Sequence, residues 1–192
     1  MVHSALLSVV AGAVSIHAEM PADVPAREAL LNRVMGPNRR RKSSEKLRRG
    51  RMPAEGLALV ARSESGALVG TVRLWNVTTG DGRPALLLGP LAVDLACKSG
   101  GIGSALMRHA IAEAVRLGHS AILLVGDAAY YQRFGFDAAK TSALSMPGPY
   151  ERERFLALEL VPHALEGAHG TLKPSGRRSN KTRGRVDLLK VG

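Results

Sequence analysis

The sequence predicts a mixed α/β domain, a sheet with helices on its faces. Three observations predict it. Strand-like alternation and helix-like periodicity take turns along the chain. Two of the strand patterns, Leu57 to Arg62 and Ala67 to Thr78, are separated only by the turn Glu64-Ser65-Gly66 and read as a hairpin, which a purely parallel sheet does not contain. The apolar run Leu86 to Val93 leads into a glycine-rich loop, Lys98 to Gly103, and that loop opens a helix. The last order places bare backbone N–H groups at a helix N-terminus, where anions bind.

Taken in order, Ala13 to Glu19 alternates Val14, Ile16 and Ala18 with Ser15, His17 and Glu19, a half-buried strand. Asp23 is an N-cap candidate before Val24-Pro25, and a helix runs to Met35, where Gly36-Pro37 ends it. Ser43 to Arg49 can form a short helix closed by Gly50. After the hairpin, Thr79 to Arg83 turns into the strand that starts at Ala85. Gly103 to Leu117 is the clearest helix, with Ile102, Leu106, Ala110, Ala114 and Leu117 in one apolar stripe and Met107, Ile111 and Val115 beside it. Ala121 to Val125 is a buried strand, Ala128 to Phe134 a short helix stopped by Gly135, Leu144 opens a short strand, and Arg154 to Val161 is the last.

The 192 residues, 45% apolar and 22% charged, suit one domain with a full core. The net charge of +11 is concentrated. Asn38 to Arg51 holds eight Arg or Lys against Glu45, and Thr171 to Gly192 holds seven against Asp187. The expected organisation is a folded unit over residues 1–170 and a basic tail without regular structure over 171–192. The single cysteine, Cys97, excludes an internal disulfide and fits a reducing cytoplasm. The six histidines lack HxH or HxxxH spacing, so no metal site is expected. No run is long and apolar enough to span a membrane. The mildly apolar stretch Val2 to Ile16 lacks a positive leader and runs into the first strand, so it does not read as a signal peptide.

Three ligands compete for the glycine loop. A Walker loop needs Lys and a hydroxyl residue after its last glycine, and Ser104-Ala105 stands there. A dinucleotide fingerprint fits Gly101 and Gly103 but finds Leu106 in its third glycine place, although Asp127 sits where a ribose partner belongs. Seven residues, Asp94 to Gly100, also separate strand from glycine pair, and Pro90 removes an N–H that a central parallel strand needs. The third reading uses that proline. Gly89-Pro90 forces a bulge or gap, so two strands can splay there. Unpaired groups along Leu91, Ala92 and Val93 then accept an extended, amide-bearing ligand as though it were a strand. Its pyrophosphate would reach Lys98, Ser99, Gly100, Gly101, Ile102, Gly103 and Ser104. Pantetheine followed by pyrophosphate is coenzyme A.

The run Leu88-Gly89-Pro90-Leu91-Ala92-Val93, then Gly101-Ile102-Gly103-Ser104-Ala105-Leu106-Met107, then Leu124-Val125-Gly126-Asp127-Ala128-Ala129-Tyr130-Tyr131-Gln132-Arg133-Phe134-Gly135-Phe136 resembles the GNAT superfamily of acyl-CoA-dependent N-acetyltransferases, and within it a bacterial branch of predicted small N-acetyltransferases. The resemblance spans roughly Ser15 to Gly170. It implies a three-layer fold whose mixed, mostly antiparallel sheet is splayed in the middle, with helices on both faces. It implies acetyl-CoA as acyl donor, an amine acceptor, and direct transfer in a ternary complex without a metal. Lys98 stands where the family pattern has Gln or Arg, which keeps the charge and loses the guanidinium fork.

The resemblance makes Tyr131, four residues before Gly135, the candidate general acid for the departing thiolate. The alternative is a half-buried aromatic at a helix end, with Tyr130 able to exchange roles. A backbone N–H near Leu91 or Ala92 is placed to polarise the thioester carbonyl. Some family members carry a basic carboxylate on the strand corresponding to Leu91–Val93, and this chain has none there. Glu19, His17, Asp127 and a water chain are all open as base. Arg73 and Trp75 share a strand face that either lines an acceptor pocket or packs in the core. The block Asn38 to Arg51 is either a solvated face or the frame of an acceptor site, implying then an acidic acceptor or the adenosine 3′-phosphate. Two other functional classes stay open: a non-catalytic acyl-CoA-binding module of the same fold, and a basic nucleic-acid adaptor, against which the tail's lack of aromatics counts. Oligomeric state, a homodimer included, and acceptor identity are not set by the sequence.

Overall fold

The computed structural model describes residues 14–97 and 100–179. β1 (Ser15–Ala18), β2 (Ala58–Arg62), β3 (Leu68–Thr78) and β4 (Pro84–Val93) form an antiparallel run in that order across the main sheet. β5 (Ala121–Val125) lies next to β4 and parallel to it. The one parallel pair of this sheet follows from the crossover through α3 (Ile102–Arg116), because a parallel partner cannot be reached by a tight turn. After β6 (Leu144–Ser145), which lies outside the main sheet, β7 (Phe155–Glu159) pairs antiparallel with the far edge of β5. The expected mixed, mostly antiparallel sheet is the one observed.

Strand alternation loads both faces. Leu86, Leu88, Ile122 and Leu124 point to one side with Leu59, Val72 and Leu74, and α3 covers them with Ile102, Leu106, Met107, Ala110 and Ala114. Ala85, Leu87, Ala121 and Leu123 point to the other with Trp75 and Val77. That face is covered by Leu47 of α2 (Ser43–Arg48) and by the segment around Leu144, Leu165 and Leu172. α1 (Val24–Met35), with Leu30 and Leu31 buried, lies against β3 and β4.

Local departures from expectation have physical causes. Leu117 is exposed rather than part of the stripe, because α3 stops at Arg116 and Leu117 has left the helical conformation; Val115, still helical, lies on the solvent side of the buried stripe. Asp23 does not cap α1. It sits in a 3₁₀ turn, accepts from the Met20 N–H at 2.8 Å and pairs with Arg62. The helix after β5 is α4 (Ala128–Tyr131), tightening into a 3₁₀ turn over Gln132–Phe134.

The largest correction concerns the tail, expected to lack regular structure from Thr171 onward. Gly170–Thr171 forms β8 against β6, and Lys173–Pro174 forms β9 against the far end of β3. The Ser175 and Gly176 N–H groups then donate to the Asn76 carbonyl, each at 3.1 Å. Beyond them, Met52 N–H donates to the Arg177 carbonyl at 2.8 Å, Ser179 N–H to the Gly50 carbonyl at 2.9 Å, and the Arg51 guanidinium to the Gly176 carbonyl at 2.6 Å. Residues 171–179 thus strap the end of the first basic block to the sheet. Residues 180–192 and 1–13 lie outside the described residues, and with them the rest of the tail and the front of the apolar N-terminal stretch.

The α3–sheet contact is tight. Leu106 is fully buried, and its Cδ1 lies 2.9 Å from where a Cβ on Gly70 of β3 would stand. Leu106→Ala should therefore lower stability by about 2–5 kcal/mol in urea unfolding, since helix and sheet are held too firmly for the cavity to collapse.

Candidate active site

The site is built on a parting of two strands. β4 pairs with β5 only at Leu86↔Ile122 and Leu87↔Leu123, whereas β5 stays paired with β7 as far as Val125. On its other edge β4 stays with β3, but the register slips. Val72 faces Leu91 and Leu74 faces Leu88, so β4 fits one residue more than β3 in this interval, at Gly89-Pro90. From Leu88 to Val93, β4 therefore has a free edge towards β5. The Asp94 N–H donates to the Val69 carbonyl on β3 at 2.8 Å. By strand alternation the main-chain groups of Leu91 and Val93 then point to the free edge and those of Ala92 towards β3.

One end of this edge meets the glycine loop. Asp94 accepts from the Ala96 N–H at 3.1 Å and is held by Arg33 at 2.6 Å, so the chain turns sharply after β4. Gly101 is left-handed (φ 70°) and starts α3. Gly103 sits in the first turn, where a Cβ would come within 2.9 Å of the Tyr130 hydroxyl. Ile102 is buried in the core, so it can offer a ligand only its backbone. Ser104 is half-buried and Gly100 exposed. Lys98 and Ser99 lie outside the described residues. Cys97 is a free thiol packed against the main core.

The other end opens into a cavity of about 770 Å³ lined by Leu88 to Leu91, Leu124, Val125 and Tyr131, and roofed by α1, α2 and the segment joining them. The Tyr131 ring lies directly on Gly126, where a Cβ would stand 2.2 Å from Cε2, and packs edge-on against Tyr130 and Phe136. Burial first, then the neighbouring Tyr130 and Asp127, push its phenol up to about 12, so it is protonated at neutral pH. Tyr130 stacks under the Arg133 guanidinium at 4.4 Å. Trp75 is a core residue that also reaches the cavity. It is buried in the core and donates to the Gly89 carbonyl at 2.6 Å, and with Arg73 it lines the cavity.

The candidate bases are engaged elsewhere. His17 bonds to Ser15, and Asp127 caps α4 through the Ala129 N–H at 3.1 Å. Glu19, only 4% exposed, accepts from Arg73 Nε at 2.7 Å and Arg27 Nη1 at 2.5 Å. Of the cavity-lining carboxylates, Glu45 pairs with Arg48 at 3.3 Å. Glu28 takes Arg27, Arg39 and Arg40. Its burial would raise its pKa, but hydrogen bonds from Arg39 and Arg27 outweigh that and hold it below the usual value. The basic block was expected on either a solvated face or an acceptor frame. Arg39, Arg40, Lys42, Arg48 and Arg49 line the cavity.

The sequence profile of the Acetyltransferase (GNAT) family matches residues 27–136, more than half of the chain and all of the parted region. The chain belongs to the GNAT acetyltransferases. A GNAT relative, the uncharacterized N-acetyltransferase YhbS of Escherichia coli K12, is 30% identical over 159 residues, 82% of this chain and 94% of that protein. The crystal structure of YhbS from Escherichia coli in complex with CoA superposes with a TM-score of 0.73 at 28% identity, covering 91% of this chain and 93% of that one. A GNAT acetyltransferase from Brucella melitensis, solved with acetyl-CoA, shares the fold at 24% identity, with a TM-score of 0.54 and coverage of 89% and 97%.

The site residue whose place the sequence conceals is Glu19. It is a buried anchor for two arginines that reach the cavity, and nothing local signals a pairing with Arg73, 54 residues away. Glu19→Gln should cost about 3–5 kcal/mol in urea unfolding, because both guanidiniums stay buried without their shared counter-charge.

Proposed function

We propose that this protein is an acetyl-CoA-dependent N-acetyltransferase that moves the acetyl group directly to a primary amine. The observation that carries the reading is the free edge of β4, which runs from a glycine-lined helix start to a cavity holding a half-buried, protonated tyrosine. The bound thioester supplies an activated acyl group. The outward main-chain groups at Leu91 and Val93 match the amides of a pantetheine arm, and the N–H groups of Gly101, Ile102 and Gly103 at the start of the 15-residue α3 suit a pyrophosphate. Of the two N–H groups first considered for polarising the carbonyl, alternation favours Leu91 over Ala92. The similarity to the fold of YhbS, solved in complex with CoA, supports an acyl-CoA as the donor.

Tyr131 then acts at the sulfur. A thiol leaves with a pKa near about 8.5, so a phenol near 12 donates a hydrogen bond to the departing sulfur rather than losing its proton outright. The proton the amine sheds on attack balances the one the thiol gains, and the Tyr131 hydrogen bond steadies the sulfur until that proton arrives. Both carboxylates lining the cavity are ion-paired, so the amine enters by its own deprotonation. The inward arginines of the basic block support an acceptor frame over a nucleic-acid surface.

Free-thiol release from acetyl-CoA with a panel of primary amines tests the function. Thiol release with at least one amine is expected; acetyl-CoA binding with silence across the panel would leave only an acyl-CoA-binding module. Tyr131→Phe should lower kcat by about 100-fold or more with acetyl-CoA affinity unchanged. The pH profile follows from the same groups. kcat/KM should rise about tenfold per pH unit towards the amine's own pKa, near about 10. No descending limb from Tyr131 is expected below about pH 10, because a raised phenol pKa keeps the proton in place as pH rises.

A further inference from the structure

The cavity has more buried positive charge than its carboxylates neutralise. Arg27, Arg39, Arg48 and Arg73 are all nearly buried, and they share three carboxylates, Glu19, Glu28 and Glu45. Arg40, Lys42 and Arg49 add cations at the rim without adding an acid. The deficit centres on Arg48. Its side chain is only 10% exposed, its one carboxylate partner is Glu45 at 3.3 Å, and its Nε is buried without a hydrogen-bond partner among the described residues. Its Nη1 lies 3.8 Å from where a Cβ on Gly89 would stand, against the bulge. Burial, with Arg39 nearby, holds the Arg48 pKa below its usual value despite Glu45, as expected for a buried cation short of negative charge.

Coenzyme A's own phosphates do not supply the anion. On the proposed track they sit at the start of α3, beyond Val93, and four residues of strand from Gly89 to Val93 span about 13 Å. The missing charge therefore belongs to the acceptor. Resting on the acetyltransferase reading, we infer that the acceptor is a small primary amine that also carries an oxyanion, a carboxylate or a phosphate-type group, seated on Arg48. The oxyanion lies beside Gly89, and the amine reaches the acyl group at Leu91, two strand residues or about 7 Å further along. That distance calls for a short spacer, and a roofed cavity of about 770 Å³ suits a free small molecule. A carboxylate or phosphonate matches the planar guanidinium in two-point contact, which an ammonium on Lys does not reproduce.

The test uses the full chain, saturated with CoA for binding and supplied with acetyl-CoA for turnover. Calorimetric titration compares 3-aminopropylphosphonate and β-alanine with propylamine and putrescine, and thiol release is followed on the same four amines. The expected result is at least tenfold tighter binding of one or both acidic amines, weakening as salt is raised. Arg48→Met should abolish that preference while leaving acetyl-CoA affinity intact, and Arg48→Lys should restore only part of it. The rim variant Lys42→Gln/Arg49→Gln, both positions exposed, should weaken the acidic amines severalfold without touching the core. Equal or better binding of propylamine or putrescine overturns the inference, as does an acidic preference that survives in Arg48→Met. Should thiol release be absent with all four amines while the phosphonate still binds through Arg48, the anion site stands and the transfer reading is what fails. Rapid release with propylamine and no acidic preference overturns the anion site and leaves the transfer reading standing.

Discussion

One surplus residue in β4 governs this molecule. A sheet accepts an extra residue in one strand only by bending away from a neighbour, and here the bend at Gly89-Pro90 takes β4 off β5 while β3 and β7 keep their partners. Everything else has to hold the two halves apart without exposing core. α3 does so on one face, where its buried residues share one core with Leu88 of β4 and with Ile122 and Leu124 of β5, and the 144–172 segment does so on the other. The free edge is tolerated only because it lies in the protein's middle, walled by apolar side chains, where another chain cannot dock on it as on an outer strand.

Around that gap the protein divides its polar work by distance. The backbone serves the end near α3, where a left-handed Gly101 and a second glycine, Gly103, in the first turn leave the backbone open to a ligand. Arginine side chains serve the end under α1 and α2. Between them Tyr131 occupies a position set by packing alone, pressed on Gly126 and edged by two other rings. Its high pKa follows from that burial, so the property that keeps the phenol protonated and the contacts that aim it share one cause.

Local patterns make the chain more legible at this centre than at its margins. Pro90 in an otherwise apolar strand is a covalent misfit, visible without knowing any partner, and the parting it implies is present. The α3 stripe and the Gly135 stop are likewise local. What escaped was pairing over long separations. Glu19 looks like a surface alternation residue until Arg27 and Arg73 close on it. The inward turn of Arg39 and Arg48 depends on where the sheet lies beneath them, and a run of like charges carries no sign of direction. β8 and β9 escaped because two-residue strands made of main-chain bonds leave no side-chain rhythm to read.

The strap formed by residues 171–179 has a consequence of its own. Gly50, Arg51 and Met52 end the segment that roofs the cavity, and each is tied by main-chain or guanidinium contacts to Gly176, Arg177 or Ser179. The two basic stretches, far apart in the chain, are therefore one mechanical part, a roof and its hasp. A change made at the tail's attachment is transmitted to the roof's footing, so residues 176–179, which do not line the cavity, bear on the segment that does.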